Sequence, residues 1–108
     1  TLYIAAGKTS INSVACTGRV SAVDPATGAY NWRQCLTTGT VLGAVLTTPG
    51  LVVADTNTTV NVLDAATGKV LFQYKDTSPS SFFYGAPAIV NGMLYAPDAD
   101  GNLYAFGL

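Results

Sequence analysis

The stretch AVDPATGAYNW at residues 22–32 returns, forty residues further on, as VLDAATGKVLF at residues 62–72. A chain that restates itself at such an interval is built from like units, none of which buries its apolar face alone, so the units must stack. The restatement extends beyond this stretch. GAVLTTPGLVVA (residues 43–54) matches GAPAIVNGMLYA (residues 85–96) at an offset of 42, and Leu2-Tyr3-Ile4-Ala5-Ala6 repeats the second half of that segment. Three partial copies therefore share the 108 residues.

Each copy reads as strands, because β-branched and aromatic residues alternate over short runs between Gly, Pro, Asn and Asp clusters. The middle copy carries four: A from Gly43 to Thr48, B from Leu51 to Asp55, C from Val60 to Leu63 and D from Lys69 to Tyr74. The first copy has B (Leu2 to Ala6), C (Arg19 to Val23) and D (Ala29 to Cys35), and the last has A (Ala86 to Val90), B (Met93 to Ala96) and C (Asn102 to Phe106). Four short antiparallel strands at a period near 40 are a propeller blade. The expected fold class is all-β: residues 1–36 a partial blade, 37–76 a complete blade and 77–108 a partial blade, together one segment of a single propeller domain. Propellers close with about four to eight blades. The two terminal blades are expected to take their missing strands from further residues of a longer chain or from another polypeptide, since each already owns its B and C strands.

Composition narrows the function. Hydrophobic residues make up 49% of the chain, enough for a core, while only 10% are charged and the net charge is −1, which disfavours a nucleic-acid or anionic-membrane partner. The longest apolar runs, such as Val41 to Leu46, fall far short of the roughly 18 to 20 residues of a spanning helix. The sequence opens on Thr1 with no initiator Met and no signal-like region, so a targeting segment is expected to have been removed or to lie outside it. With no His and no Glu, a Ser-His-Asp triad, a His zinc site and a paired-Glu glycosidase are excluded within these residues.

The repeated stretch has a physical reading. Asp24 and Asp64 open the C–D turn, where a carboxylate accepts backbone N–H bonds, and Gly28 and Gly68 supply a positive φ before strand D. Thr27 and Thr67 add a hydroxyl to the same turn. Trp32 and Phe72 occupy equivalent points on strand D, where a large ring packed against a neighbouring blade contributes about 2–3 kcal/mol.

Ala22, Asp24, Thr27, Gly28 and Trp32 resemble the tryptophan-docking motif AxDxxTGxxxW of quinoprotein (pyrroloquinoline-quinone-type) β-propellers. The second copy departs from it with Val62 for the Ala and Phe72 for the Trp, which implies a looser contact between blades. GAPAIVNGMLYA and the final DGNLYAF are similar to that family's A–B hairpin and C strand. The resemblance implies a propeller. It also implies a choice between quinone-dependent dehydrogenases, outer-membrane assembly scaffolds and other secreted proteins, because fold does not give function. Family dehydrogenases hold pyrroloquinoline quinone and calcium beside a catalytic Asp; none of those motifs, no CxxCH haem attachment and no adjacent-Cys pair is found here. No cofactor is expected within this chain, quinone and calcium entering only if it is part of a dehydrogenase.

Asp98 and Asp100 have the spacing of a calcium loop but lack its third carboxylate and closing Glu, so a B–C hairpin turn is the plainer reading. Cys16 precedes strand C and Cys35 ends strand D, which brings them together at the open end of that hairpin. A disulfide there closes a loop of about twenty residues, worth about 3 kcal/mol, and implies a periplasmic or extracellular compartment; the alternative is two unpaired thiols. Asn57-Thr58-Thr59 reads as a hairpin turn or a glycosylation sequon. Phe82-Phe83-Tyr84, following Ser78-Pro79-Ser80-Ser81, reads as core between blades or as an exposed patch. The insert Lys8 to Thr17 lengthens one B–C loop and is where a function is most readily hosted.

The reading that follows is a non-catalytic propeller scaffold, part of a larger secreted or periplasmic protein, presenting loops for interaction or assembly. Its partners are the remaining blades or other protein chains. The alternatives are the C-terminal part of a secreted quinone-dependent dehydrogenase whose catalytic residues lie elsewhere, and a strand-exchanging subunit of an oligomer or filament.

Overall fold

Twelve strands, assembled into three separate antiparallel blades and one side ribbon, make up the regular structure of the described residues, which in the computed structural model are 1–41, 43–77, 82–83 and 85–108. Ser78 to Ser81 and Tyr84, part of the aromatic linker singled out above, lie outside the described residues, as does Leu42 of the preceding apolar run.

The first blade orders its strands β1 (Leu2–Ala6), β4 (Gly18–Val23) and β5 (Tyr30–Leu36). A ribbon of β2 (Thr9–Ile11) and β3 (Val14–Cys16) branches from it. The second blade is a four-stranded meander, β6 (Leu46–Thr48), β7 (Leu51–Asp55), β8 (Thr59–Asp64) and β9 (Val70–Lys75). The third contains β10 (Ala88–Val90), β11 (Met93–Pro97) and β12 (Leu103–Gly107). No helix occurs among the described residues, and the sheets do not close into a barrel: these are blades of a partial propeller.

Register shows the repetition at atomic scale. Ala22 faces Trp32 across β4 and β5, and Val62 faces Phe72 across β8 and β9; both pairs are followed by a register shift at the next residue of the inner strand. A bulge in the same place in both copies turns the strand toward its C–D turn in the same way.

Alternation along each strand sends neighbouring residues to opposite faces, and the core divides accordingly. Val52 and Ala54 of β7 pack with Val20, Leu36 and Leu63, with Tyr3 and Trp32 against them, forming the seam between the first and second blades. Val53 of the same strand packs with Val60, Val62, Phe83, Leu94 and Ala96, forming the seam between the second and third. The middle blade is thus apolar on both faces, and β8 is buried through five successive residues from Thr59 to Leu63.

Two local details go beyond the sequence reading. Strand A of the middle blade is only Leu46–Thr48, short of the expected start at Gly43. Within the insert Lys8 to Thr17 the backbone forms a hairpin, not an extended loop: Asn12 (φ 49°) and Ser13 (φ 66°) both adopt the left-handed conformation that a tight hairpin turn requires. Of the expected aromatic cluster, Phe83 is fully buried in the second seam while Phe82 stands 41% exposed.

Candidate functional site

The C–D turn is built alike in the first two blades, and its residues explain why. In the first, Asp24 Oδ1 accepts the Ala26 N–H at 2.9 Å, the Gly28 N–H donates to the Asp24 carbonyl at 2.7 Å, and the Asp24 N–H donates to the Ala29 carbonyl at 2.9 Å. In the second, Asp64 Oδ1 accepts from Ala66 at 2.8 Å and Thr67 at 3.3 Å, and the same backbone pair closes through Gly68 and Lys69 at 2.8 Å each. Thr27 and Thr67 each accept the N–H two residues on at 3.2 Å. Gly28 and Gly68 have φ of 76° and 77°, a region that costs an L side chain about 1–2 kcal/mol.

The turns differ in what lies on them. The Trp32 indole N–H of the first blade donates to the Ala65 carbonyl in the second blade's turn at 2.9 Å, and the Tyr3 hydroxyl donates to the same carbonyl at 3.4 Å. The two rings lean on one another with centroids 6.0 Å apart. A Cβ placed on Gly68 would lie within 3.0 Å of three atoms of the Trp32 ring, whereas one on Gly28 would meet nothing within 4 Å. Gly68 therefore serves two ends, the turn's backbone conformation and the seat of the indole.

Phe72 occupies the place of Trp32 one blade on. Leu51 pairs with Asp64 and Met93 with Gly107, so Gly107 stands where Asp64 stands, and Leu108 where Ala65 does. The backbone agrees: Ala65 donates to the Gly50 carbonyl at 3.0 Å and Leu108 to the Gly92 carbonyl at 2.9 Å. Phe72 has no N–H to give. It packs edge-on against Phe106 with centroids 5.4 Å apart and lines a cavity of about 390 Å³ with Val62, Leu94, Phe106 and Leu108.

A polar network ties the first seam at the other end of the blade. Thr38 and Thr56 share a hydroxyl bond of 2.7 Å, Thr38 donates to Asn61 Oδ1 at 3.3 Å, and buried Asn61 donates to the Ala54 carbonyl at 2.9 Å while Gln73 donates to it at 2.8 Å. The second seam contains a carboxyl instead. Asp55 follows Val53 on the same face of β7, is 1% exposed, and neither of its oxygens has a hydrogen-bond partner. Burial pushes its pKa up to about 7.

Cys16 and Cys35 form a disulfide with Cα atoms 5.4 Å apart, fastening the ribbon to β5. Asp98 is turned into its own hairpin, with Oδ1 accepting from Asp100 N–H at 3.0 Å and Asn102 N–H at 2.8 Å, and Oδ2 from the Asn102 amide at 2.9 Å. Burial acts to raise its pKa, but bonds from Asn102, Asp76 and Asp100 outweigh it and hold the carboxyl below its usual value. Tyr104 donates to Asp76 Oδ1 at 2.8 Å, which raises the phenol above its ordinary value with help from burial. Among the described residues no three carboxylates or thiolates converge to hold a metal ion. No helix among them is long and apolar enough to cross a membrane.

Blades stacked through a ring on the neighbour's turn define a repeat protein of the propeller class. Residues 17–107 match the family of PQQ-type repeats described as outer membrane protein assembly factor BamB, and the chain belongs to that repeat family. Among solved structures it is similar to the computationally designed Ika4 protein, with a TM-score of 0.67 and 16% identity over 82% of this chain. That likeness shows the fold, and the chain spans 54% of the length of the designed protein. A search of curated proteins returned no match.

Proposed function

We propose that this chain is a non-catalytic segment of a β-propeller that holds loops in place for protein interaction or assembly, in an extracellular or periplasmic setting. One observation carries the reading: polar side chains are spent on shaping and joining blades. Asp24, Asp64 and Asp98 each cap their own turn, and Trp32 and Tyr3 bond the next blade's carbonyl. The motif residues Ala22, Asp24, Thr27, Gly28 and Trp32, with Asp64, Thr67, Gly68 and Phe72, are accordingly assigned to blade docking. The Cys16–Cys35 disulfide supports an oxidising compartment, and the family's description as an assembly factor supports an interaction role.

The test is to offer the protein pyrroloquinoline quinone and calcium with alcohols, sugars and an artificial electron acceptor. The scaffold gives no turnover and no quinone absorbance after desalting; turnover would transfer the reading to a dehydrogenase. A second reading, strand exchange, is favoured by β12, whose outer edge is unpaired among the described residues although its counterpart β8 is paired by β9. It expects a native mass well above the denatured, non-reduced mass, and loss of that association in Leu103→Pro. Association undiminished by proline there would rule strand exchange out.

A further inference from the structure

The end of the second seam farthest from the C–D turns contains a carboxyl that the seam's own bonds leave out. Register puts Asp55, Val60 and Tyr74 in one row and Val53, Val62 and Phe72 in the next. On that face Val53, Val60 and Val62 pack with Phe83, Leu94 and Ala96, so Asp55 closes an apolar row. It is 1% exposed and neither oxygen has a hydrogen-bond partner. An ionised carboxylate held there without a donor is costly, whereas the neutral acid is tolerated.

Backbone bonds bridge the two blades beside it. The Phe83 N–H donates at 2.8 Å to the carbonyl of Asn57, in the B–C turn that follows Asp55, and the Ala99 N–H of the third blade's B–C turn donates to the Phe82 carbonyl at 3.0 Å. The Phe83 ring rests against Tyr104 with centroids 5.7 Å apart. The other titratable groups at this end are Tyr74, Tyr104, Asp76 and Asp98. Tyr104 donates to Asp76, Asp98 bonds to Asp76 and to its own turn, and none of the four bonds to Asp55. Lys75 alternates to the opposite face, the one on which Gln73 bonds Asn61, Tyr95 alternates away from Leu94 and Ala96, and Asp100 is exposed. At the same end of the first seam the buried groups are the hydroxyls and amides of Thr38, Thr56, Asn61 and Gln73, which do not titrate.

We infer that this end of the second seam is a proton-operated clasp: while Asp55 is neutral the two B–C turns stay bridged through Phe82 and Phe83, and when Asp55 ionises the bridge releases and water reaches the carboxylate. The first seam stays shut. The inference adds a regulation to the scaffold reading and rests on it. The sign follows from burial, which pushes the closed-seam pKa of Asp55 up to about 7 against 3.8 for the free group. The clasp is tightest below about pH 4, weakens as pH rises toward about 7, and changes no further above that. Asp98, held below its usual value, and Tyr104, raised above its own, titrate outside this window.

Native-state hydrogen exchange of the intact protein, in urea kept below the unfolding transition, reads the clasp amide by amide. Protection factors of the Phe83 and Ala99 N–H groups are expected to fall at least about tenfold between about pH 5 and pH 7.5. That opening should respond little to urea, because it uncovers little surface, while the Trp32 indole N–H and the β4–β5 amides stay better protected and steeply urea-dependent. Asp55→Asn and Asp55→Leu are each expected to abolish the fall, and Asp76→Asn to leave it in place. A fall that survives both Asp55 variants, a fall that vanishes in Asp76→Asn, or Phe83 and Ala99 amides that share the urea dependence of β4–β5 each overturn the clasp. Any of these with a protected Trp32 indole leaves the scaffold reading standing, whereas an indole that exchanges freely at both pH values breaks the scaffold reading itself.

Discussion

The two seams of this molecule are made from the same repeat and held by different physics. Between the first and second blades the coupling is directional: Trp32 and Tyr3 converge on one carbonyl, and Thr38 reaches Thr56 and Asn61. Between the second and third the rings of Phe72 and Tyr74 pack on Tyr104 and Phe106 at centroid distances of 5.2–5.4 Å, Tyr104 donates a side-chain bond to Asp76, and Asp55 lies buried without a partner. A directed bond fixes how one blade sits on the next, whereas ring packing tolerates small slides. The repeat therefore keeps its turn while leaving each seam free to differ in rigidity and in its response to pH.

The largest expected difference is in that response. Asp55 has a folded-state pKa of about 7 against 3.8 for the free group, so between about pH 4 and pH 7 the folded chain binds the extra proton and stability falls as pH rises. The slope is at most about 1.4 kcal/mol for each pH unit, which adds up to a loss of about 4 kcal/mol by pH 7. Urea titrations across this range should show the slope in the wild type and its flattening in Asp55→Asn. An unchanged slope in the variant would remove Asp55 from the account.

Next comes the ring on each seam. Trp32→Ala should cost about 3 kcal/mol and Phe72→Ala, whose side chain is 42% exposed, about 1–2 kcal/mol. Equal losses would mean that the indole bond adds nothing to the first seam. The glycines sharpen the point, because their backbones are alike and their surroundings are not. Gly28→Ala should cost about 1 kcal/mol from the positive φ alone, and Gly68→Ala about 1–3 kcal/mol more, since the new methyl must displace Trp32. Smallest of all, Phe72→Trp should gain about 1 kcal/mol if its indole reaches the Leu108 carbonyl as Trp32 reaches Ala65. No gain would show that the second seam lacks the geometry of the first.

The blades were legible because their boundaries are written in turn residues. Leu2–Ala6 and Leu51–Asp55 are strands over the residues expected, since Pro49-Gly50 and the Asp-x-x-Thr-Gly runs punctuate the pattern. The β2–β3 ribbon was not, because its turn uses Asn12 and Ser13 at positive φ where a glycine would have marked it. The disulfide followed from strand order, both cysteines falling at the open end of one hairpin. The acceptor of the Trp32 bond left no trace in the sequence, because a backbone carbonyl has no letter of its own, and Tyr3 shares it across 62 positions. Asp55 closes a strand and reads as an ordinary turn acid; that its face is sealed emerges only when Phe83, Leu94 and Ala96 close over Val53.

The central claim is that a ring of one blade seated on the next blade's turn is what joins the units, and the chain's single tryptophan makes it directly measurable. Hydrogen exchange of the Trp32 indole N–H, followed by NMR in the wild type and in Gly68→Ala, reads that one bond. Exchange slowed about a hundredfold or more against free indole in the wild type, and released in the variant while the β7–β8 amides stay protected, is the predicted result. An indole proton that exchanges freely in the folded wild type would contradict the account.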